Sequence, residues 1–96
     1  MRAAALALAL LLTTPAVAHA DEQTFLNGAA ALGYDNPDEA LSAGYAVCSM
    51  RTQVSGDLTS RILQRALEKI NRAADAANAE AFNELAVAQL CPNQGG

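Results

Sequence analysis

An apolar run near the amino terminus constrains this 96-residue chain more than any other feature. Residues 3–12 are all Ala or Leu; they follow a single arginine and precede a small-residue segment that ends in Ala18, His19 and Ala20. This layout is typical of a secretory signal peptide. Ten helical residues rise about 15 Å, roughly half of a hydrocarbon core, so the run is too short to span a membrane. We expect cleavage after Ala20; a cut after Ala18, an uncleaved anchor and a buried core helix are the alternatives.

Loss of residues 1–20 leaves an acidic chain without histidine. Five of the six Lys and Arg residues remain against all ten Asp and Glu residues. This balance argues against nucleic acid as a partner, because phosphate binding requires clustered cations. Without His19 the chain lacks the commonest general base and metal ligand; it also has no phosphate-binding glycine loop and no EF-hand pattern. We therefore expect no enzyme activity, no catalytic residues, no cofactor and no metal site.

The remaining chain is rich in helix-forming residues, and its apolar positions recur at spacings of three and four. No alternating Val, Ile and Thr segment indicates a strand. The pattern predicts an all-α fold: a single small domain over 21–96, with its core at about 25–92, built as a bundle of three to four short helices. The predicted helices cover about 22–32, 37–50, 57–72 and 78–90. The segment 71–79 is a weak joint, at which the sequence leaves open whether the helix breaks.

Local signals fix several of the helix ends. Gly33 suits a left-handed position after the first helix. Asn36 is well placed as an N-cap, with Pro37 at the first helical position. Either Ser55 or Asp57 is expected to cap the third helix.

The second helix combines an inward stripe with a ridge of small residues. Leu41, Gly44, Tyr45 and Cys48 form the stripe, and Ala40 lies on one ridge with Gly44 and Cys48. Glycine inside a helix costs up to about 1 kcal/mol relative to alanine, so Gly44 implies a packing reason. We expect a neighbouring helix to approach closely at Ala40 and Gly44.

The third helix is predicted to carry an apolar face and a basic face. The apolar face consists of Leu58, Ile62, Leu63, Ala66, Ile70 and Ala73; the basic face consists of Arg61, Arg65, Lys69 and Arg72, the last paired with Glu68. We hypothesise that the basic face binds an anionic lipid headgroup, an envelope glycan or an acidic partner. The alternative is a solvated face that balances the acidic helices around it. No aromatic residues interleave with the cations, so single-stranded nucleic acid is not favoured.

Other polar groups have structural interpretations. Glu80 and Glu84 share one face of the last helix, where we expect them to aid solubility, with weak divalent-ion binding as the alternative. Tyr45 is expected to be a core residue whose hydroxyl reaches the surface, and Tyr34 a turn residue over the first helix, rather than haem ligands. The inward side of the last helix is predicted to hold Phe82, Leu85, Ala86 and Leu90.

The two cysteines, Cys48 and Cys91, are expected to form a disulfide, because an exported chain enters an oxidising compartment. The closed loop would have about 44 residues and contribute about 4 kcal/mol in the chain-entropy account. An intermolecular bridge and a redox role are the alternatives, the latter disfavoured by the absence of a CxxC motif. On an ideal helix Cys91 would point away from the side of Phe82, so we expect the helix to loosen near Leu90.

The run from Ala40 to Cys48, together with the closing Leu90-Cys91-Pro92, resembles the family called domain of unknown function 732. The resemblance includes the Phe25-Leu26 start and the Asp35-Asn36-Pro37 turn, and it spans about 25–92. That family consists largely of small exported mycobacterial proteins. The resemblance implies an exported helical domain with one bridge, and it implies no catalytic residues.

These features lead to two functional hypotheses. The first is a non-catalytic interaction module, secreted or associated with the cell envelope, that binds an unknown protein or an anionic envelope component. The second is a carrier of a small apolar or lipid-like ligand held between the helices. The sequence leaves the oligomeric state open.

Overall fold

Four α-helices build the protein in a computed structural model that describes residues 21–94. They are α1 (Glu22–Ala31), α2 (Pro37–Arg51), α3 (Gly56–Leu67) and α4 (Ala76–Leu90), followed by a short 3-10 helix (Pro92–Gln94). This part of the chain contains no strand, and the predicted all-α class is confirmed. No helix in it has the length and apolar character needed to cross a membrane. The predicted signal peptide, residues 1–20, lies outside the described residues.

Each helix begins at a short polar side chain that accepts a hydrogen bond from the backbone N–H three residues later. These N-caps are Asp21, Asn36, Ser55 and Asp75, with donor–acceptor distances of 2.8–3.1 Å. Such a bond satisfies one of the backbone donors left free at a helix start. The prediction of Asn36 before Pro37 is correct, and Ser55 rather than Asp57 caps α3.

The end of α1 turns the chain back toward the core. Gly33 has a φ of 107°, a left-handed conformation that glycine adopts without steric cost. Its N–H donates to the carbonyl of Ala30 (3.0 Å), and the N–H of Tyr34 donates to the carbonyl of Ala29 (2.9 Å). This pair of bonds forms a Schellman motif, which ends the helix and directs Tyr34 inward.

The core is organised around α4, which contacts each of the other three helices. The ring of Phe82 lies edge-on to Phe25 at 5.5 Å and to Tyr34 at 5.1 Å between centroids. Tyr34 is only 4% exposed, and its hydroxyl donates to the side-chain carbonyl of Asn78. Tyr34 thus lies in the turn after α1, as predicted, but its ring belongs to the aromatic centre of the core.

The buried face of α2 consists of Ala40, Gly44 and Val47. A Cβ placed on Gly44 would lie 2.6 Å from Cδ1 of Leu90 and 2.7 Å from Cζ of Phe25. These distances are well below ordinary carbon–carbon contact, so α1 and α4 approach α2 at a point where only hydrogen fits.

Tyr45 does not lie on that buried face. It is 40% exposed, and its hydroxyl donates to the carboxylate of Glu22 at 2.5 Å. The predicted core position of Tyr45 is therefore wrong. The buried stripe of α2 consists of Ala40, Gly44 and Val47, and Tyr45 lies about 100° around the helix from Gly44.

A disulfide joins Cys48 in α2 to Cys91 just after α4, with a Cα–Cα distance of 6.0 Å. The predicted intramolecular pairing is confirmed. Helix α4 ends at Leu90, and Cys91 takes a non-helical conformation with a φ of −149°. This departure from the helix brings Cys91 round to α2, as the loosening expected near Leu90 requires.

Helix α3 is rotated relative to the prediction. Its buried residues are Thr59, Leu63 and Leu67, whereas Leu58 and Ile62 remain 41% and 47% exposed. The hydroxyl of Thr59 donates to the backbone carbonyl of Ser55 (2.9 Å), so burial leaves no unpaired polar group. Hydrophobicity alone ranks Leu58 and Ile62 above Thr59 and therefore points to the wrong side of the helix.

The helix breaks between α3 and α4: α3 ends at Leu67 and α4 begins at Ala76. This answers the question that the sequence leaves open at 71–79. The side-chain carbonyl of Asn71 accepts from the N–H of Ala73 (3.0 Å), a local bond that competes with helix continuation. The predicted helix over 57–72 is therefore too long. Lys69 and Arg72 lie beyond its end, and Ile70 is 43% exposed rather than buried. The predicted pair of Glu68 with Arg72 is not among the ion pairs of residues 21–94.

Candidate functional site

The solvent-facing side of α3 presents aliphatic and cationic side chains in adjacent rows. We call this surface, formed by Leu58, Arg61, Ile62 and Arg65, the α3 outer face. Residues three and four apart are neighbours on a helix, so each arginine lies beside one of the two aliphatic side chains. Arg61 is 3.0 Å from Asp57, but both side chains are more than 70% exposed. Such an exposed pair contributes little and leaves Arg61 available to another anion.

The predicted basic row is divided between a helix and a turn. Arg61 and Arg65 lie on α3, while Lys69 and Arg72 lie in the turn region that follows it, and all four are exposed. Their placement within about a quarter-turn of one helix is therefore wrong for the last two. The segment 56–72 nevertheless holds four of the five cations of residues 21–94 and only two of their ten acidic residues.

A cleft of about 550 Å³ opens beside the α3 outer face, between α3, α4 and the end of α2. Its polar lining consists of Arg51, Asp57, Ser60, Arg61, Gln64, Glu80, Asn83 and Glu84. This volume is within the range of small-molecule sites. The structure thus places Glu80 and Glu84, predicted as a solvated pair, at the rim of a cavity that two arginines also line.

Asn83 is the polar centre of the cleft wall and is only 3% exposed. Its amide nitrogen donates to the carbonyl of Gly56 (2.9 Å) and to the hydroxyl oxygen of Ser60 (2.7 Å). Its amide oxygen accepts from Nη1 of Arg51 at 3.0 Å. All three bonds join α4 to other elements, so Asn83 fixes the relative positions of α2, α3 and α4 at the cleft.

Arg51 is held in place by these contacts and by the backbone beneath it. A Cβ on Gly56 would lie 3.0 Å from Cζ of the Arg51 guanidinium. Glycine at this position therefore lets the guanidinium rest against the first turn of α3. Among residues 21–94, Arg51 makes no ion pair within 4.0 Å, although Glu80 and Glu84 line the same cleft.

Arg51 and Asn83 were not predicted as site residues from the sequence. One signal was present: Asn83 lies four positions after Ala79 and four before Val87, both buried. A polar amide in an otherwise apolar helical row indicates a buried hydrogen-bonding role. Nothing comparable marks Arg51, because its position depends on the turn between α2 and α3.

The tyrosines lie outside the cleft and have altered acidity. Burial raises the pKa of Tyr34, and the charge of Asp75 raises it further. The hydrogen bond to Glu22 raises the pKa of Tyr45, with smaller contributions from desolvation and from the charge of Glu22. Within residues 21–94 no three His, Cys, Asp or Glu side chains are grouped as metal ligands would be.

Comparison with known proteins gives one match. A family model described as "Protein of unknown function (DUF732)" matches residues 20–93. No curated protein and no solved structure matches the chain.

Proposed function

The chain belongs to the DUF732 family, and we propose that it is an exported, non-catalytic binding module that attaches to an anionic lipid surface through the α3 outer face. One observation carries the proposal. Leu58 and Ile62 are each more than 40% exposed, and they lie directly beside the exposed Arg61 and Arg65. Exposed aliphatic groups bordered by cations are the combination that binds helices to anionic membrane interfaces.

The aliphatic groups supply the first part of the interaction. Leu58 and Ile62 are one helical turn apart, so both can enter the acyl boundary when α3 lies parallel to a membrane surface. Neither is needed for the core, in which Thr59, Leu63 and Leu67 are the buried residues of α3. Burial of apolar surface contributes about 25 cal/mol per Å² removed from water.

The charge distribution supplies the second part. Residues 21–94 are acidic as a whole, yet the segment 56–72 has a net charge of +2, from four cations and two carboxylates. An anionic surface therefore attracts this side of the molecule and repels the remainder, which orients the protein on approach. The face contains no aromatic anchor of the kind that dominates protein interfaces, and this favours a lipid surface over an acidic protein.

Vesicle co-sedimentation tests the proposal. The protein should bind vesicles that contain phosphatidylglycerol, bind pure phosphatidylcholine vesicles weakly, and dissociate as salt is raised. The variant R61Q/R65Q should bind about 10- to 30-fold more weakly, since each cation near an anionic surface contributes about 1 kcal/mol. A matched control, Q23E/Q53E, makes the same change in net charge at exposed positions outside α3 and should have a smaller effect.

The aliphatic contribution has its own comparison. The variant L58S/I62S should lose binding, whereas Y45S, which removes a similarly exposed side chain on α2, should retain it. Equal losses in R61Q/R65Q and Q23E/Q53E would contradict the proposal. So would binding to the acidic polypeptide poly-glutamate in the absence of vesicle binding, which would assign the α3 outer face to a protein partner.

A further inference from the structure

We propose that the cleft between α3 and α4 binds a small amino carboxylate, such as an amino acid or a dipeptide, with its carboxylate on Arg51 and its ammonium on Glu80 and Glu84. This inference uses residues that the lipid-binding proposal does not, namely Arg51, Glu80 and Glu84. The two surfaces adjoin at Arg61, which belongs to the α3 outer face and also lines the cleft. The inference also assigns a polar ligand, in contrast to the apolar ligand of the carrier hypothesis.

The carboxylate end is assigned by the state of Arg51. One N–H of its guanidinium donates to the amide oxygen of Asn83 (3.0 Å), and the group packs against Gly56. The rest of its planar donor fork has no carboxylate within 4.0 Å among the described residues. A fixed guanidinium with free donors is the group that recognises carboxylates with two parallel hydrogen bonds.

The ammonium end is assigned by the two glutamates that α4 contributes to the cleft. Glu80 and Glu84 lie one turn apart on α4 and both line the cleft. Cβ atoms at this spacing are about 5–6 Å apart, so two carboxylates can contact a single cation. Neither glutamate forms an ion pair within 4.0 Å in residues 21–94, so their charges are not neutralised by Arg51 across the cleft.

Separated charges of opposite sign exclude simpler ligands. Two further charged residues of the lining, Arg61 and Asp57, pair with each other at 3.0 Å and so largely offset one another. A plain anion at Arg51 is repelled by the two glutamates, and a plain cation at the glutamates is repelled by Arg51. A molecule that carries both groups pairs with each wall at once. The cleft also contains the partly apolar surface of Val87 and Ala88, against which the methylene or side-chain atoms of such a molecule can pack.

NMR titration of the disulfide-bonded protein tests this inference with defined probes. The probes are glycylglycine, 4-aminobutyrate and 6-aminohexanoate, which place the two charges at increasing separations. At least one should produce saturable shifts of the Gly56 amide and the Asn83 side-chain amide, with a dissociation constant on the order of 1 mM. Hexanoate and hexylammonium, which carry only one charge each, should bind at least about tenfold more weakly.

Variants separate ligand binding from a change in fold. E80Q/E84Q alters only exposed side chains and should weaken the bifunctional probe at least about tenfold, while the matched control D35N/E39Q should leave it unchanged. R51K, which keeps the charge but loses the planar fork, should weaken binding through the carboxylate. The inference is overturned if no probe shifts these signals, or if the singly charged analogues bind as well as the bifunctional ones. Vesicle binding by E80Q/E84Q should remain, so failure here is distinguishable from failure of the lipid proposal.

Discussion

The contact at Gly44 predicts that the smallest possible side-chain addition destabilises the protein. In Gly44→Ala the new methyl group would be placed 2.6 Å from Cδ1 of Leu90 and 2.7 Å from Cζ of Phe25. Both neighbours are buried, Phe25 completely, so the rings and helices must shift to make room. Overpacking of this kind costs about 1–3 kcal/mol.

Helix propensity opposes this cost. Alanine is favoured over glycine by about 0.8–1.0 kcal/mol in a helix interior. The net expectation for Gly44→Ala is therefore a loss of up to about 2 kcal/mol in the free energy of unfolding. For a domain of this size that corresponds to a melting temperature lower by up to about 16 °C.

Gly28→Ala provides the matched comparison. A methyl group there would meet only the end of the Leu85 side chain, at 2.8 Å, and both residues are half-buried rather than enclosed. Leu85 can move toward solvent, so the propensity gain should dominate and stability should be unchanged or higher by up to about 1 kcal/mol. Urea unfolding of the oxidised proteins, followed by circular dichroism, measures both. Equal stabilisation by the two substitutions would refute the close approach at Gly44.

Three further predictions concern the disulfide, Asn83 and the effect of alkaline pH. The variant C48A/C91A should lose up to about 4 kcal/mol of unfolding free energy, because the bridged residues are 43 positions apart and the loop constraint on the unfolded chain is removed; urea midpoints no lower than those of the oxidised wild type would contradict this. Asn83→Ala should lower the free energy of unfolding by about 1–3 kcal/mol, because it leaves buried hydrogen-bond partners unpaired. Urea unfolding curves measure this loss, and a near-neutral effect would show that the three hydrogen bonds of Asn83 do not stabilise the fold. The pKa of Tyr45 is raised, so the native state holds the phenolic proton to higher pH than the unfolded chain does. The contribution of this group to the free energy of unfolding is therefore complete below the ordinary pKa of 10.0 and is lost as the pH rises through the native pKa. Tyr45→Phe should make this alkaline decline shallower in urea midpoints measured from about pH 8 to about pH 10.5, and an unchanged slope would show that the bond to Glu22 does not shift the titration.

The features predicted correctly from the sequence are those determined by neighbouring residues. The N-cap at Asn36, the left-handed Gly33 and the all-α class each follow from a few adjacent side chains and from the apolar spacing. The disulfide was predictable for a different reason, because a chain with two cysteines offers each of them a single intramolecular partner.

The features predicted wrongly depend on tertiary packing. The rotation of α3 is decided by Thr59, whose hydroxyl finds a local acceptor and so can be buried in place of the larger Ile62. The burial of Tyr34 depends on a partner 44 positions away, Asn78. Apolar periodicity contains neither piece of information, since it counts side chains by hydrophobicity and not by the bonds available to them.

The same rotation accounts for both candidate surfaces. With Thr59 and Leu63 facing the core, Leu58 and Ile62 are left outside on one flank of α3, and Ser60 faces Asn83 on the other. Had α3 buried the predicted apolar face, the aliphatic part of the α3 outer face would be internal and the hydroxyl that bonds Asn83 would be displaced. Because α3 buries Thr59 and leaves Leu58 and Ile62 exposed, this one helix contributes to two chemically different surfaces. One surface is amphipathic, and the other is lined by opposite charges.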